Sequence, residues 1–541
     1  MAAQTGNRFP LSQAASVAVA ETRLAARAAP RIVRHLAIIV AWAVASIALG
    51  LIVGLAAVFL PPLGAFGIVA TAGVVLLWVM PDLPLVSPGL IRKTFFVMLI
   101  ADLCVPNYYM IYFQGLPWIT IRRLATFSLI APFLVAIAAS TDVRREITER
   151  ISASSLIVIC AAGYLGMATL SISTSVLPTE SMSALVEAIL SWYVPFFAMI
   201  YIVRDKDDVV LILKIILFCA IYITAAGLVE FVRQRNIFVD MLPKSMLDTL
   251  IKNNPNMVGL LPGSLNHWRN GYFRASSVFV TALSFGEFEI LIIPIALFFA
   301  LYRQNVLERS LGWAAAFVGP IGIFCSGSRG GWMGLLMSAP VFVAIWSIRK
   351  GKINKASLAP AIVGLTGAIS FTVLWGLILF WPRMHNIVLG GGDAAASTQG
   401  RYDQWAAAIP FIKSNPITGH GFANGGYVIN SSIDTYPLSV LLETGLPGLV
   451  FFVGLVLLPI WYGVRNFISD MSESGAVAGA LACSFIAFAT NRLVLSEREN
   501  HMLFFSLLGI AVVMNYEYAR KQVPERVNYK SNGADSRRRT L

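Results

Sequence analysis

The sequence predicts an all-α fold, a polytopic transmembrane bundle of about 12 to 14 spans with two long loops on one side. Three observations carry that expectation. Hydrophobic residues make up 57% of the 541 and charged residues 13%, against roughly a quarter charged in a soluble domain. Mean hydropathy is +0.73, so polar side chains are too few to cover a fold in water and lipid must solvate much of its surface. Apolar runs of about 20 residues, the length that crosses a bilayer, recur along the whole chain.

Those runs are 35–60, 62–80, 94–113, 118–139, 155–175, 182–203, 209–230, 277–301, 309–326, 330–348, 357–381, 437–463, 475–490 and 501–516. Residues 1–34 carry Arg23, Arg27, Arg31 and Arg34 and read as a cytoplasmic tail. The run after them is too long for the apolar core of a signal peptide and reads as an uncleaved first span. The chain then divides into an N-terminal transmembrane bundle (35–230), a first long periplasmic loop (231–276), central transmembrane helices (277–381), a second long periplasmic loop (382–436), C-terminal transmembrane helices (437–516) and a basic cytoplasmic tail (517–541).

Basic residues of membrane proteins collect in cytoplasmic loops. With an even number of spans, both termini are cytoplasmic, and so are 141–150 with Arg144, Arg145 and Arg150, 204–208, 302–308, and 349–356 with Arg349, Lys350, Lys352 and Lys355. This accounts for most of the net charge of +13 without nucleic acid as a partner. The five cysteines lie in apolar runs, none as a Cys-x-x-Cys pair, and read as structural thiols rather than a zinc site or a disulfide framework.

Some cations oppose the trend. The first long loop holds Arg233, Arg235, Lys244, Lys252, Arg269 and Arg274 against Asp240 and Asp248. Arg122 and Arg123 sit in a short outside turn, and Arg329 lies at an outer boundary in Ser326-Gly327-Ser328-Arg329-Gly330-Gly331. Headgroup contact explains any one of these. Together they suggest an outward-facing cavity for an anion, because a guanidinium grips phosphate in a planar fork.

The second long loop is the richest in chemistry. Gly400-Arg401-Tyr402-Asp403-Gln404-Trp405 opens an amphipathic stretch over 402–413, and Pro416-Ile417-Thr418-Gly419-His420-Gly421 makes a turn. Asn430-Ser431-Ser432-Ile433-Asp434-Thr435-Tyr436-Pro437 then leads into a span holding Glu443, Gly445, Pro447 and Gly448. Glu443 would lie about 13 Å deeper than Asp434 if the segment is helical. An ionisable group at that depth is a functional candidate. The plainer alternatives are a structural ion pair for Glu443, a helix N-cap for Asp434 and an ordinary loop position for His420. His267 and His385 have no metal-like spacing, and His35 and His501 flank spans as interfacial residues. No His-Glu-x-x-His, nucleophile elbow or P-loop occurs, which argues against zinc and serine hydrolases and NTPases.

The order of these features resembles the O-antigen ligase and polysaccharide polymerase superfamily of bacterial inner membranes. Ser328-Arg329-Gly330-Gly331 before a span is similar to that family's Ser-Arg-Gly element, and Gly400-Arg401 with Trp405 to its Gly-Arg…Trp element. Asn415-Pro416…Gly419-His420-Gly421 is similar to its Pro…Gly-x-Gly turn, and Leu438…Glu443…Gly445…Gly448 to the end of its closing motif. Arg274 resembles an upstream arginine. The likeness covers about 270–450. It departs where ligases carry His-Asn and this chain has Asp434-Thr435.

The resemblance implies a glycosyltransferase at the periplasmic face of the inner membrane, using a glycan on undecaprenyl diphosphate and neither metal nor other cofactor. Arg274, Arg329, Arg401, Arg122 and Arg123 would bind the diphosphate. Asp434 is the first candidate for the base that takes the acceptor's proton and His420 the second; Glu443 and Gly445 would support the site. A polymerase joining repeat units of an exopolysaccharide or O-antigen is the leading reading. A ligase transferring glycan to lipid A core or another acceptor is the alternative, and a lipid-linked glycan transporter without chemistry the third, kept open by Asp102, Glu287 and Glu289 inside spans. A chain-length regulator or a flippase is the kind of protein partner this reading allows.

Overall fold

The computed structural model describes residues 86–111, 119–244, 246–248, 267–269, 272–353, 355, 357–382, 385 and 395–522. All belong to one compact unit, Pro81–Leu541. The first two expected spans, 35–60 and 62–80, and both charged tails lie outside the described residues.

The fold is all-α and polytopic. Its helices are α1 (Pro88–Cys104), α2 (Ile121–Ala139), α3 (Thr141–Ser152), α4 (Ser155–Leu170), α5 (Pro178–Ile202), α6 (Lys206–Arg233), α7 (Ala282–Tyr302), α8 (Val306–Ser326), α9 (Arg329–Ile353), α10 (Ala359–Phe380), α11 (Ala395–Ser414), α12 (Tyr436–Ser469), α13 (Glu473–Arg492) and α14 (His501–Gln522). Two small antiparallel hairpins are the strands among the described residues: Met110–Ile111 with Ile119–Thr120, and Trp268–Arg269 with Tyr272–Phe273. Ten of the helices are long and apolar enough to cross a membrane; α1 and α8 are not among the ten.

Local chemistry sets several boundaries. The run read as a span over 94–113 is a helix over 88–104. Ser87 caps it, its hydroxyl accepting from the Leu90 amide at 3.2 Å. It stops because Val105, which precedes Pro106, is extended, as a residue before proline prefers. The central span starts at Ala282 rather than 277, because the Thr281 hydroxyl caps it through the Ser284 amide at 3.2 Å. The inner segment expected as a loop over 141–150 is the capped helix α3. The amphipathic stretch expected over 402–413 extends back to Ala395 as a 20-residue helix.

Helix α7 is the hub. It packs against α6, α8, α9 and α13, and nearly all of it is buried, whereas almost none of α10 is. A helix apolar all round belongs inside a bundle; α10 packs mainly on α9 among the described residues and is little buried there. Contact is close: a Cβ added at Gly312 of α8 would meet the Ala300 amide nitrogen at 2.4 Å. Of the five cysteines, all free, Cys219, Cys325 and Cys483 are buried, whereas Cys104 and Cys160 are partly exposed.

Candidate functional site

The α12 helix is broken, not continuous. Gly445 has φ 72° and ψ −177°, a conformation no L-residue adopts comfortably. The break frees backbone groups that must find partners. The turn 416–421 supplies them. His420 N donates to Leu442 O at 2.8 Å, Gly421 N donates to Glu443 O at 3.1 Å, and Leu446 N donates to Pro416 O at 2.8 Å. Fit at this plug is tight: a Cβ at Gly419 would meet Glu443 O at 2.5 Å, and one at Gly445 would meet Ile417 O at 2.2 Å. The Pro…Gly-His-Gly and Glu…Gly motifs, read separately in the sequence, are therefore the two halves of one construction.

The break leaves a short first half-helix, 436–444, that carries Glu443. Glu443 is buried, accepts from the Ser439 hydroxyl at 2.6 Å and pairs with Arg498 at 2.5 Å. The structural ion pair considered for it is present. Burial works against the charge on Arg498, but the neighbouring Glu443 carboxylate outweighs it and holds the guanidinium protonated well above its ordinary range.

Arg498 belongs to the segment 491–501 that joins the end of α13 to the start of α14. It ties the loop end of the bundle together. Arg492 and Glu287 form a buried pair, and Asn500 donates to Glu287 at 3.0 Å and to Ser284 O at 2.9 Å. Glu499 accepts from the Val280 amide at 2.9 Å, and Ser496 donates to Ile433 O. Gly330, in the Ser-Arg-Gly-Gly element, packs so tightly that a Cβ would meet Asn491 Oδ1 at 2.2 Å. His501 is not interfacial but buried. Its Nε2 lies 2.9 Å from the Tyr436 hydroxyl, and its ring sits 4.5 Å from that of Trp192, which the π-turn Ile189–Tyr193 within α5 carries. Tyr436 in turn meets the Tyr164 hydroxyl at 3.3 Å. A run of Arg492, Glu497, Arg498 and Glu499 between two spans was the available signal.

The expected site residues fall as follows. Asp434 is not an N-cap: Thr435 holds that position. The Asp434 amide donates to Gln404 Oε1 at 3.0 Å, and its carboxylate, 40% exposed, lies 3.9 Å from Arg401 Nε. That Nε is buried and has no hydrogen-bond partner. Arg274 follows the 268–273 hairpin, and its Nε donates to Ser326 O at 3.0 Å across the Ser-Gly-Ser turn that precedes Arg329. Arg329, half-buried, opens α9 beside that turn. Arg122 is buried, its Nε donating to Val105 O at 2.5 Å, and exposed Arg123 pairs with Glu187 at 3.4 Å. The His420 ring packs on helix α11, Nε2 lying 2.9 Å from Phe411 O and 3.3 Å from the Ser414 hydroxyl.

The structure thus joins Arg401 with Asp434 directly, and Arg274 with the turn before Arg329. Segment 491–501 touches both groups, through Ile433 and Gly330. Arg122 and Arg123 are engaged with a carbonyl and a carboxylate of their own. Among the described residues, no group of three or more His, Cys, Asp or Glu side chains could hold a metal ion. Glu287 is neutralised by Arg492, and Glu289 is held by the Thr224 hydroxyl at 2.7 Å.

Glu499 gives the site a pH signature. Burial pushes its carboxyl from the ordinary 4.5 up to about 7, against the opposing pull of the Val280 amide. Ser284, Glu497 and Arg122 also face it, and its Oε2 is buried without a hydrogen-bond partner. The folded state therefore binds this proton more tightly than the unfolded chain. Its contribution to stability is complete below about pH 4.5 and is lost as pH rises through about 7. Thermal melts of the purified protein should decline across that window, and Glu499→Gln should flatten the decline. Parallel profiles for the two proteins would show that Glu499 does not carry it.

Comparison with known proteins supports the family resemblance. Residues 313–453 match the O-antigen ligase family. An uncharacterized protein of Haemophilus influenzae is 26% identical over 259 residues, covering 43% of this chain and 62% of that protein. The chain thus spans less than two thirds of the length of this curated relative.

Proposed function

With residues 313–453 matching the O-antigen ligase family, we propose that the chain is a glycosyltransferase acting on a glycan carried by undecaprenyl diphosphate, and that it joins repeat units into a polysaccharide. The observation that carries this reading is Asp434. Its carboxylate is accessible, is not spent on a helix cap, and stands 3.9 Å from Arg401 Nε; the segment 491–501 that bonds Ile433 beside it also packs on Gly330, next to Arg329.

In the step envisaged, an acceptor hydroxyl attacks the anomeric carbon of the donor. The new C–O bond forms as the bond to the diphosphate breaks, and the lipid diphosphate leaves with the bonding electrons. Asp434 takes the hydroxyl proton. Arg401, Arg329 and Arg274 offset the charge that develops on the leaving group, as preorganised cations do. No nucleotide is needed, because the lipid diphosphate bond supplies the driving force. The site would face the periplasm, with both termini in the cytoplasm.

The ligase reading stays beside the polymerase reading because the matched family is described by ligase activity; Asp434-Thr435 in place of His-Asn weighs against it. Deleting the gene distinguishes them. Loss of polymerase activity leaves single repeat units on the lipid carrier, whereas loss of ligase activity leaves finished chains there. Normal levels and lengths of every glycan in the deletion strain would overturn both.

A further inference from the structure

We propose that the end of the bundle opposite the Asp434 cluster carries a binding site for the phosphodiester of an anionic phospholipid, centred on Arg349. A cavity of about 420 Å³ opens there between the C-terminal ends of α7 and α9 and the turn before α13, lined by Tyr302, Arg303, Arg349, Lys350, Met471 and Ser472 among others.

Arg349 is the reason to expect a ligand. It is 2% exposed, yet no carboxylate pairs with it among the ion pairs of the described residues. Its Nη2 donates to Ser472 O at 2.7 Å, and its guanidinium carbon lies 4.5 Å from the Phe467 ring centre and 5.2 Å from that of Tyr302. Those rings hold the cation but satisfy no N–H group. Its Nε and Nη1 are buried without a hydrogen-bond partner, and so is the Tyr302 hydroxyl in the same lining. A buried charge left without partners is costly. Guanidinium N–H groups and a phenol that lack partners are donors from which phosphate oxygens can accept.

The local charge balance selects an anion. Arg303 is neutralised by Glu308 at 2.6 Å and by Glu473, and Asp470 by Lys521 at 2.9 Å. Lys350 has no carboxylate partner among the described ion pairs, so Arg349 and Lys350 remain as surplus cations. The cavity rim favours a lipid over a free ion. Ile353 and Met471, 55% and 43% exposed, offer apolar surface at the end of a membrane-crossing helix, where acyl chains would run beside a bound headgroup. Basic pockets at helix ends are common headgroup sites. The site is separate from the transfer chemistry and would tie bundle stability to lipid composition.

The test uses the full chain, purified in detergent and stripped of lipid. Phosphatidylglycerol is titrated in and the melting temperature followed, with phosphatidylcholine of the same acyl chains and inorganic phosphate as parallel arms. Phosphatidylglycerol should raise the melting temperature with saturation, while the other two leave it unchanged. Arg349→Gln should raise the half-saturating lipid concentration about tenfold or more. Tyr302→Phe removes a hydroxyl that has no hydrogen-bond partner among the described residues, and Lys350→Gln alters an exposed side chain; both should keep the unliganded melting temperature and weaken the response, which covers the case in which Arg349→Gln fails to fold. An equal response to phosphatidylcholine, or wild-type titrations in Tyr302→Phe and Lys350→Gln, would overturn the site. A response to inorganic phosphate alone would overturn the lipid assignment in favour of a soluble anion.

Discussion

Asp434→Asn should abolish most glycan product, by about 100-fold if proton transfer is the lost step, while the protein inserts and accumulates normally. Replacing a true N-cap with alanine would cost about 1 kcal/mol. Here Thr435 occupies the cap position, the Asp434 amide donates to Gln404, and its carboxylate, 3.9 Å from Arg401 Nε, makes no hydrogen bond to it, so Asp434→Ala should be as stable as Asp434→Asn and as inactive. Asp434→His restores the residue found in the ligase-like motif, and partial activity there would support one proton-handling position. The measurement is product per unit of membrane-inserted protein. Full activity in the asparagine variant would remove Asp434 from the chemistry. His420 is a weaker replacement than the sequence suggested, because its ring is packed on α11 against Phe411 and Ser414.

The second large effect concerns the arginines. Arg401→Lys should lower product formation by roughly 10²-fold or more, the loss seen when one preorganised donor is removed from a charge-stabilising site. A lysine ammonium offers a point charge in place of the planar fork. Arg401 is the clean probe, since its buried Nε bonds nothing and faces Asp434. Arg274→Lys and Arg329→Lys should also lose activity. Arg274 has a second duty, however, because its Nε holds the turn through Ser326 O. Its variant must therefore be judged at matched protein abundance. Wild-type product from all three lysine variants would show that no diphosphate clamp exists at these positions.

Much of the architecture was legible because a membrane span needs only length and apolarity. Caps such as Ser87 and Thr281, and the extended residue before Pro106, were there to be read and would have moved two boundaries to their observed places. The α12 break was half legible: Gly445, Pro447 and Gly448 stand together, but that the 416–421 turn fills the break depends on a contact between separate motifs. The least legible part was segment 491–501. Arg492 finds Glu287 across 205 residues and Arg498 finds Glu443 across 55. A charge run between spans reads as a solvated loop until its partners are placed. His501 shows the same limit, since its burial comes from Trp192 on a distant helix, while position alone suggests the membrane boundary.

The central claim is group transfer from a lipid diphosphate at the Asp434 cluster. The most direct measurement reconstitutes the purified full-length protein in liposomes with a repeat-unit glycan on undecaprenyl diphosphate and follows glycan length together with release of the free lipid diphosphate. The account predicts longer glycan and one lipid diphosphate released for each bond formed, both lost in Asp434→Asn and Arg401→Lys. Movement of the glycan-lipid across the bilayer with no new glycosidic bond and no lipid diphosphate released would contradict it and mark the protein as a transporter.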